Sequence, residues 1–419
     1  MDDGQSLSNL KYMAKSPLIL AALAKDAVPH VNFTQVNSLS SGVGGAFDTA
    51  LLTATDGKHY IVRVANTQAA GADQEVELRA FKALNANHRS QLPFEVSNVI
   101  GETRDLKGHR ALILDYVYGN PIDANSIAPD SQFSMSIGRA IAAIHNLDRA
   151  VVSDAHLTEY DSAEIVRTRT AELDRIAATG KVPAVLLERW ETALEDMSIF
   201  KFQTTVIHDA LSGDTVLGLD QAVSGVLSWS GLKIGDPAED FAWLAETGNH
   251  ELLESVLKTY SATRSAADAS IAQRATLYSE LEKGRWLLHG VTKGNQDIID
   301  DAIGMLAELA EDVSTGVIGR LSGAAPAAAA AVIEISQTVA PASFAEPVQA
   351  FVETEQTFVE IEHTIVIDES EDSDAEPFEV SVHTEAIEII EIEETIAAPA
   401  VDDKTRPIEL PDKGENELF

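Results

Sequence analysis

Residues 204–244 read TTVIHDALSGDTVLGLDQAVSGVLSWSGLKIGDPAEDFAWL, and this stretch decides the fold. Two short apolar runs within it, TVLGL and VSGVLSW, have the character of strands and are separated by a polar turn. Beyond Pro237 the apolar spacing becomes helical and stays so to about Val313. The stretch therefore predicts a pair of short strands that leads into a helical part of the molecule.

The sequence before this stretch predicts strands first and helices later. Residues 33–65 alternate as strands do around a glycine-rich turn, and Asp56-Gly57 is a hairpin signal. DQEVELRAFKALNA (residues 73–86) and FSMSIGRAIAAIHNL (residues 133–147) have helical spacing, and PLILAALA (residues 17–24) predicts an amphipathic surface helix. Strands followed by helices indicate an α+β protein with two lobes.

Composition limits the partners and the compartment. The chain has 419 residues, no cysteine and a formal net charge of -37. The lack of cysteine excludes disulfides and thiolate nucleophiles. The negative charge argues against nucleic acid or an anionic membrane surface as a partner. Because no run approaches the ~18 apolar residues of a membrane span and the N-terminal run lacks a basic start, we expect a cytoplasmic protein.

The last quarter of the chain differs in character from the rest. Residues 316–419 hold 24 Asp and Glu against 4 Lys and Arg, and GAAPAAAAA is a low-complexity run. We expect a disordered acidic tail that recruits an unidentified protein partner. A second interpretation rests on FVEIEHTIVID and EAIEIIEIEETI, where acids alternate with Ile or Val. Such a pattern can add a strand to a partner's sheet.

The order of motifs in the quoted stretch resembles the aminoglycoside and macrolide phosphotransferase family. His208 takes the His position of the family's catalytic loop, Val216 and Leu217 follow it, and Trp229 takes the Trp position before IGDPAEDFAWL. The resemblance covers most of residues 17–313 and implies a two-lobed protein-kinase-like fold. It also implies a nucleotide cofactor, ATP, and a small-molecule substrate.

The departures from the family pattern fall on the chemistry. The resemblance places Ala210 where the family has the Asp that accepts the substrate proton. It places Thr215 and Ser228 at the two positions that hold Mg²⁺. Phosphoryl transfer depends on positioning and on a metal ion that neutralises phosphate charge, and Mg²⁺ is usually held by carboxylates. Two neutral hydroxyls therefore argue against Mg²⁺ binding.

Two nearby acids offer a way to keep the activity. Asp209 precedes the base position by one residue and is the candidate for a displaced base. Asp214 precedes the first metal position and is a candidate metal ligand. Adjacent Cα atoms are ~3.8 Å apart, so either rescue requires a rebuilt loop. Ser228 has no such neighbouring replacement.

The first lobe carries the features that the resemblance assigns to nucleotide binding. A glycine-rich turn covers the phosphates, a basic residue reaches them, an acid on the next helix pairs with that base, and a hinge meets the adenine edge. The corresponding residues are Gly42, Gly44 and Gly45, then Arg63, then Glu77, and finally Asp115 and Val117.

We predict four segments and weigh three functions. The segments are an N-terminal helical segment (1–30), an N-lobe (31–118), a mainly helical C-lobe with a degenerate loop (119–315) and the acidic tail (316–419). The leading hypothesis is a pseudokinase that binds a nucleotide, a small molecule or a protein. The alternatives are an active ATP-dependent O-phosphotransferase that uses displaced acids, and a scaffold whose tail carries the function. His208, Trp229, Asp236 and Asp240 are interpreted as structural, the two acids as helix caps.

Overall fold

A computed structural model describes residues 15–39, 46–264 and 268–321. The predicted glycine-rich turn at Gly42, Gly44 and Gly45 lies outside the described residues. So does the acidic segment from residue 322 onward. No helix within the described ranges combines the length and the apolarity needed to cross a membrane.

The first lobe is an antiparallel sheet with helices around it. Its elements are α1 (Pro17–Ala27), β1 (Phe33–Leu39), β2 (Phe47–Ala54), β3 (His59–Ala65), α2 (Gln68–Ala83), α3 (Ala86–Arg89), β4 (Val99–Arg104) and β5 (Arg110–Asp115). The five strands pair in the order β1-β2-β3-β5-β4. The hairpin predicted at Asp56-Gly57 joins β2 to β3, and Gly57 adopts the positive φ, 81°, that the turn requires.

Helix α1 is the amphipathic helix predicted from the sequence. The Ser16 side chain caps its first turn, and Pro17 occupies a position where a missing N–H costs nothing. Its inner face, Leu20 and Ala24, is buried against Leu52 and its neighbours on the sheet. The helix therefore belongs to the core of the first lobe.

The second lobe is mainly helical, as predicted. Its strands are β6 (Asn120–Pro121), β7 (Thr205–Ile207), β8 (Val216–Leu219), β9 (Ala222–Val226) and β10 (Lys233–Gly235). Its helices are α4 (Gln132–His145), α5 (Ala150–Ser153), α6 (Ser162–Ala177), α7 (Ala184–Glu195), α8 (Ala242–Ala245), α9 (His250–Thr263), α10 (Ile271–Lys293) and α11 (Gln296–Thr315). β7 pairs with β10, and β8 pairs with β6 and β9. This arrangement confirms the α+β, two-lobed architecture.

A buried polar network fixes the segment that follows β10. The carboxylate of Asp236 accepts two hydrogen bonds from Arg274, at 2.7 and 2.9 Å, and one of 2.6 Å from the Tyr278 hydroxyl. It also accepts the Ala238 N–H at 2.8 Å, so the predicted cap at Asp236 is confirmed. Because both charged groups are fully buried, each depends on the other for compensation.

Candidate active site

The loop between β7 and β8 is held in place by Asp240. Its carboxylate accepts the backbone N–H groups of His208 and Asp209 at 2.9 and 2.7 Å, and it contacts the His145 ring at 3.0 Å. The structural interpretation of Asp240 thus holds, but the predicted helix cap is wrong. The carboxylate bonds to a loop about thirty residues earlier in the chain instead of to its own helix. The loop starts from a fixed, buried anchor.

His208 and Trp229 are structural parts of this anchor. The His208 ring lies edge-on to Trp229 with centroids 4.7 Å apart, and its Nε2 is 3.0 Å from the Leu227 carbonyl oxygen. Both side chains are fully buried. Gly231 allows the close approach of this turn to the loop, because a Cβ there would lie 2.5 Å from the His208 carbonyl oxygen.

Ala210 and Thr215 are joined inside the loop. The methyl group of Ala210 cannot accept a proton. The Thr215 hydroxyl donates to the Ala210 carbonyl oxygen at 2.9 Å and accepts the Ser212 N–H at 2.8 Å. Thr215 therefore closes the loop on itself, and its oxygen is already engaged.

The residues present do not fit the Mg²⁺ ion that the family resemblance implies. Ser228 adopts left-handed backbone angles, with φ 64° and ψ 61°, and offers only a neutral hydroxyl. Asp214 is exposed on the loop, and Thr215 is engaged as described. Within the described ranges no group of three His, Asp or Glu side chains is placed to hold a metal ion. The role of Asp214 as a metal ligand stays a prediction, as does the assignment of Thr215 and Ser228 to the family's metal positions.

Asp209 contacts a largely buried lysine and, through it, a second acidic side chain. Its Oδ2 lies 2.7 Å from Nζ of Lys233, which also contacts Oε2 of Glu239 at 2.9 Å. Arg169 contacts the same Glu239 oxygen at 3.1 Å. Burial and the adjacent Glu239 raise the pKa of Asp209 to about 8. Although burial opposes its ionisation, the hydrogen bond with Asp209 and the two cations lower the pKa of Glu239 to about 2. The role of Asp209 as a displaced base stays a prediction.

We expect Asp209→Asn to become more stable than the wild type as the pH rises. The folded-state pKa of about 8 lies above the ~3.9 of an unfolded Asp, so the folded wild type binds more protons in between and loses stability with rising pH. Asn cannot ionise, and like Asp it tolerates the positive φ of 62° at this position. Urea unfolding at about pH 5 and about pH 9 measures the difference in the free energy of unfolding. A difference that is the same at both pH values would contradict the raised pKa.

The predicted base of the first lobe is paired with its predicted acid. The Arg63 guanidinium on β3 contacts the Glu77 carboxylate on α2. The Phe47 ring covers Arg63 at 4.7 Å from the ring centroid to Cζ. The Nε of Arg63 is buried and has no hydrogen-bond partner among the residues that the structure describes. Burial lowers the pKa of Arg63 to about 10, so the group remains a cation at neutral pH.

The predicted hinge lies at the end of β5. The Asp115 carboxylate accepts the Asn98 N–H at 2.5 Å and its side-chain amide at 2.7 Å. The Tyr116 N–H donates to the His59 carbonyl oxygen at 3.2 Å. Val117 is buried. These bonds fix the strand that joins the two lobes.

A pocket opens beside the loop, on the side of the helical lobe. It has a volume of about 330 Å³, and its lining includes Arg169, Asp209, Ala210, Glu239, Trp243 and Arg285. Sequence reasoning identified the two loop residues but missed the charged residues that surround them. The only sequence signal for these charged residues is their position, since Lys233 and Glu239 lie on either side of the Gly235-Asp236-Pro237 motif.

The five-stranded sheet with α2, the helical lobe and the loop between β7 and β8 define a two-lobed, protein-kinase-like phosphotransferase fold. The sequence profile of the phosphotransferase enzyme family matches residues 40–275. The chain belongs to this family, and the resemblance stated from the motifs is confirmed.

Several known proteins are similar to this chain in sequence or in fold. Viomycin phosphotransferase of Streptomyces vinaceus is 27% identical over 266 residues, which are 59% of this chain and 86% of the relative. The apoenzyme of macrolide 2'-phosphotransferase MphH from Brachybacterium faecium has a similar fold, with a TM-score of 0.59, 18% identity and coverage of 70% of this chain and 98% of that one. The GDP complex of aminoglycoside 2'-phosphotransferase-IIIa gives a TM-score of 0.58 at 14% identity over 71% of this chain and 100% of that one. ADP-bound aminoglycoside phosphotransferase APH(2'')-Ib gives a TM-score of 0.51 at 17% identity. The match covers 69% of this chain and 96% of that one.

Proposed function

We propose that this chain is a phosphotransferase-family protein whose phosphoryl transfer is impaired or lost, and whose cleft binds a nucleotide or small molecule without turnover. One observation carries the proposal: Ala210 replaces the base, and the side-chain hydroxyl of Thr215 is bonded within the loop. Loss of a general base alone lowers a rate by about 10²–10⁴. Ser228 in place of a metal carboxylate removes a further electrostatic contribution.

Two features of the first lobe support nucleotide binding. Arg63 carries a buried cationic group beside Glu77, the kind of pair that positions nucleotide phosphates in kinase folds. Two of the similar structures were determined with GDP and ADP. We propose that Arg63 meets the phosphates and that the backbone of Asp115 and Val117 meets the base.

A calorimetric titration of ATP into the full chain, with and without Mg²⁺, tests this function. We expect binding whose affinity does not depend on Mg²⁺, because Ser228 offers no carboxylate and the Thr215 hydroxyl is bonded within the loop. Arg63→Met should weaken binding by about tenfold or more, the change produced by losing one charge-assisted hydrogen bond. The matched control is Arg175→Met, which removes an exposed arginine on α6 and should leave the affinity unchanged.

Two results would overturn the proposal. Mg²⁺-dependent conversion of ATP to ADP would show that Asp209 or Asp214 supplies the missing chemistry and that the protein is an active phosphotransferase. The absence of any ATP or ADP binding would remove the nucleotide from the proposal.

A further inference from the structure

The ammonium group of Lys233 is largely buried and lies next to the loop between β7 and β8. Its Nζ bridges Asp209 and Glu239, at 2.7 and 2.9 Å, and lies 5.7 Å from the centroid of the Tyr160 ring. Two carboxylates and an aromatic face are the groups that bind an ammonium ion. The Lys233 side chain is 13% exposed, whereas the Asp209 carboxylate is 31% exposed and lines the pocket. The ammonium thus lies directly behind the pocket wall.

The other carboxylates around the pocket are also paired with cations of the chain. Glu172 contacts Arg169 at 3.2 Å and Arg285 at 2.6 Å. Arg285 also contacts Glu282 at 2.6 Å. Glu246 also lines the pocket and lies 3.7 Å from Nζ of Lys283. Each acidic side chain that lines the pocket therefore has a cationic partner from the chain itself.

We propose that Lys233 determines ligand specificity. Its ammonium group fills the position between Asp209 and Glu239 that a cationic group of a ligand would otherwise take. The pocket beside Ala210 then selects against ligands that carry ammonium groups and takes neutral or anionic ones. This inference rests on the proposed function in that it treats this pocket as the ligand site. It does not depend on whether the nucleotide cleft is used.

Removal of Lys233 should create an amine site. In Lys233→Ala, the two carboxylates lose their shared cation and the space of a four-carbon side chain opens behind the pocket. We expect n-butylamine and the diamine putrescine to bind this variant about tenfold or more tightly than the wild type, as measured by calorimetry, because a bound ammonium ion restores the cation that the two acidic side chains have lost. Butylamine should also raise the thermal midpoint of the variant.

Three controls make the result specific. n-Butanol has the same chain as butylamine without the charge and should neither bind nor stabilise Lys233→Ala. Lys283→Ala removes the ammonium beside Glu246, another acidic residue that lines the pocket, and Lys233→Arg keeps a cation between Asp209 and Glu239. Neither should gain amine affinity. If Lys233→Ala does not fold, Lys233→Gln tests the same loss of charge with the side chain retained.

Equal amine affinity in the wild type and in the folded Lys233 variant would overturn the inference. So would stabilisation of Lys233→Ala by butanol as large as that by butylamine. Titration of ATP into the same proteins separates this outcome from failure of the proposed function. If the Lys233 variant gains an amine site but neither protein binds ATP, this inference is supported and the nucleotide proposal is contradicted.

Discussion

The triple variant Ala210→Asp, Thr215→Asn, Ser228→Asp should convert ATP to ADP at least about 10²-fold faster than the wild type in the presence of Mg²⁺. A general base contributes about 10²–10⁴ to such a rate, and a metal held by a carboxylate stabilises the phosphate charge. The fold is suited to the changes, because Asp240 already fixes the loop from behind. Ser228 has the left-handed backbone that Asp tolerates better than most residues. Steady-state ADP release with Mg²⁺ or with EDTA measures the gain.

The single substitutions show which loss matters. Ala210→Asp alone should gain little, since a base without a metal leaves the phosphate charge unneutralised. The triple variant combined with Arg63→Met should fall back toward the wild-type rate. The explanation from lost residues would be contradicted if the folded triple variant bound ATP but gained neither Mg²⁺ dependence nor turnover.

The fold could be predicted from sequence because its signals are local or occur in a fixed order. Alternation in residues 33–65 and the Asp56-Gly57 turn define a hairpin that depends on neighbouring residues alone. The order and spacing of His208, Trp229 and the Gly235-Asp236-Pro237 motif identified the family, although each of these signals is weak alone. Each of these features is present in one continuous stretch of chain.

The interior of the site could not be predicted because its contacts join distant parts of the chain. Asp240 looked like a helix cap from its place after Pro237, yet its partners are the loop N–H groups of His208 and Asp209. Lys233 is a single charged residue at the start of β10. It meets Asp209 because β10 pairs antiparallel with β7, where Lys233 is opposite Ile207. That register is a property of the sheet and is not encoded in either strand alone.

Arg274→Met should destabilise the protein by about 3–5 kcal/mol, the cost of leaving one member of a buried ion pair without its partner. Both side chains have no exposed surface, and the Asp236 carboxylate would keep only the Tyr278 hydroxyl and the Ala238 N–H. Urea unfolding measures the loss. The matched control is Arg167→Met, whose exposed partner Glu164 is 4.0 Å away and which should cost well under about 1 kcal/mol.

A double variant distinguishes the loss of the Arg274–Asp236 ion pair from the cost of leaving the Asp236 carboxylate buried without a cation. Asp236→Asn in the background of Arg274→Met removes the uncompensated carboxylate while keeping an oxygen that caps Ala238. It should therefore recover part of the lost stability, so the two substitutions are not additive. Asp236 lies four residues before Asp240, which holds the loop between β7 and β8. Arg274→Met should therefore also weaken ATP binding in the fraction that remains folded. Additive losses in the double variant would mean that Arg274 stabilises the lobe through its other contacts instead of through Asp236. These contacts are the Asp268 carboxylate at 2.6 Å and the Phe202 ring, whose centroid is 4.1 Å from Cζ of Arg274.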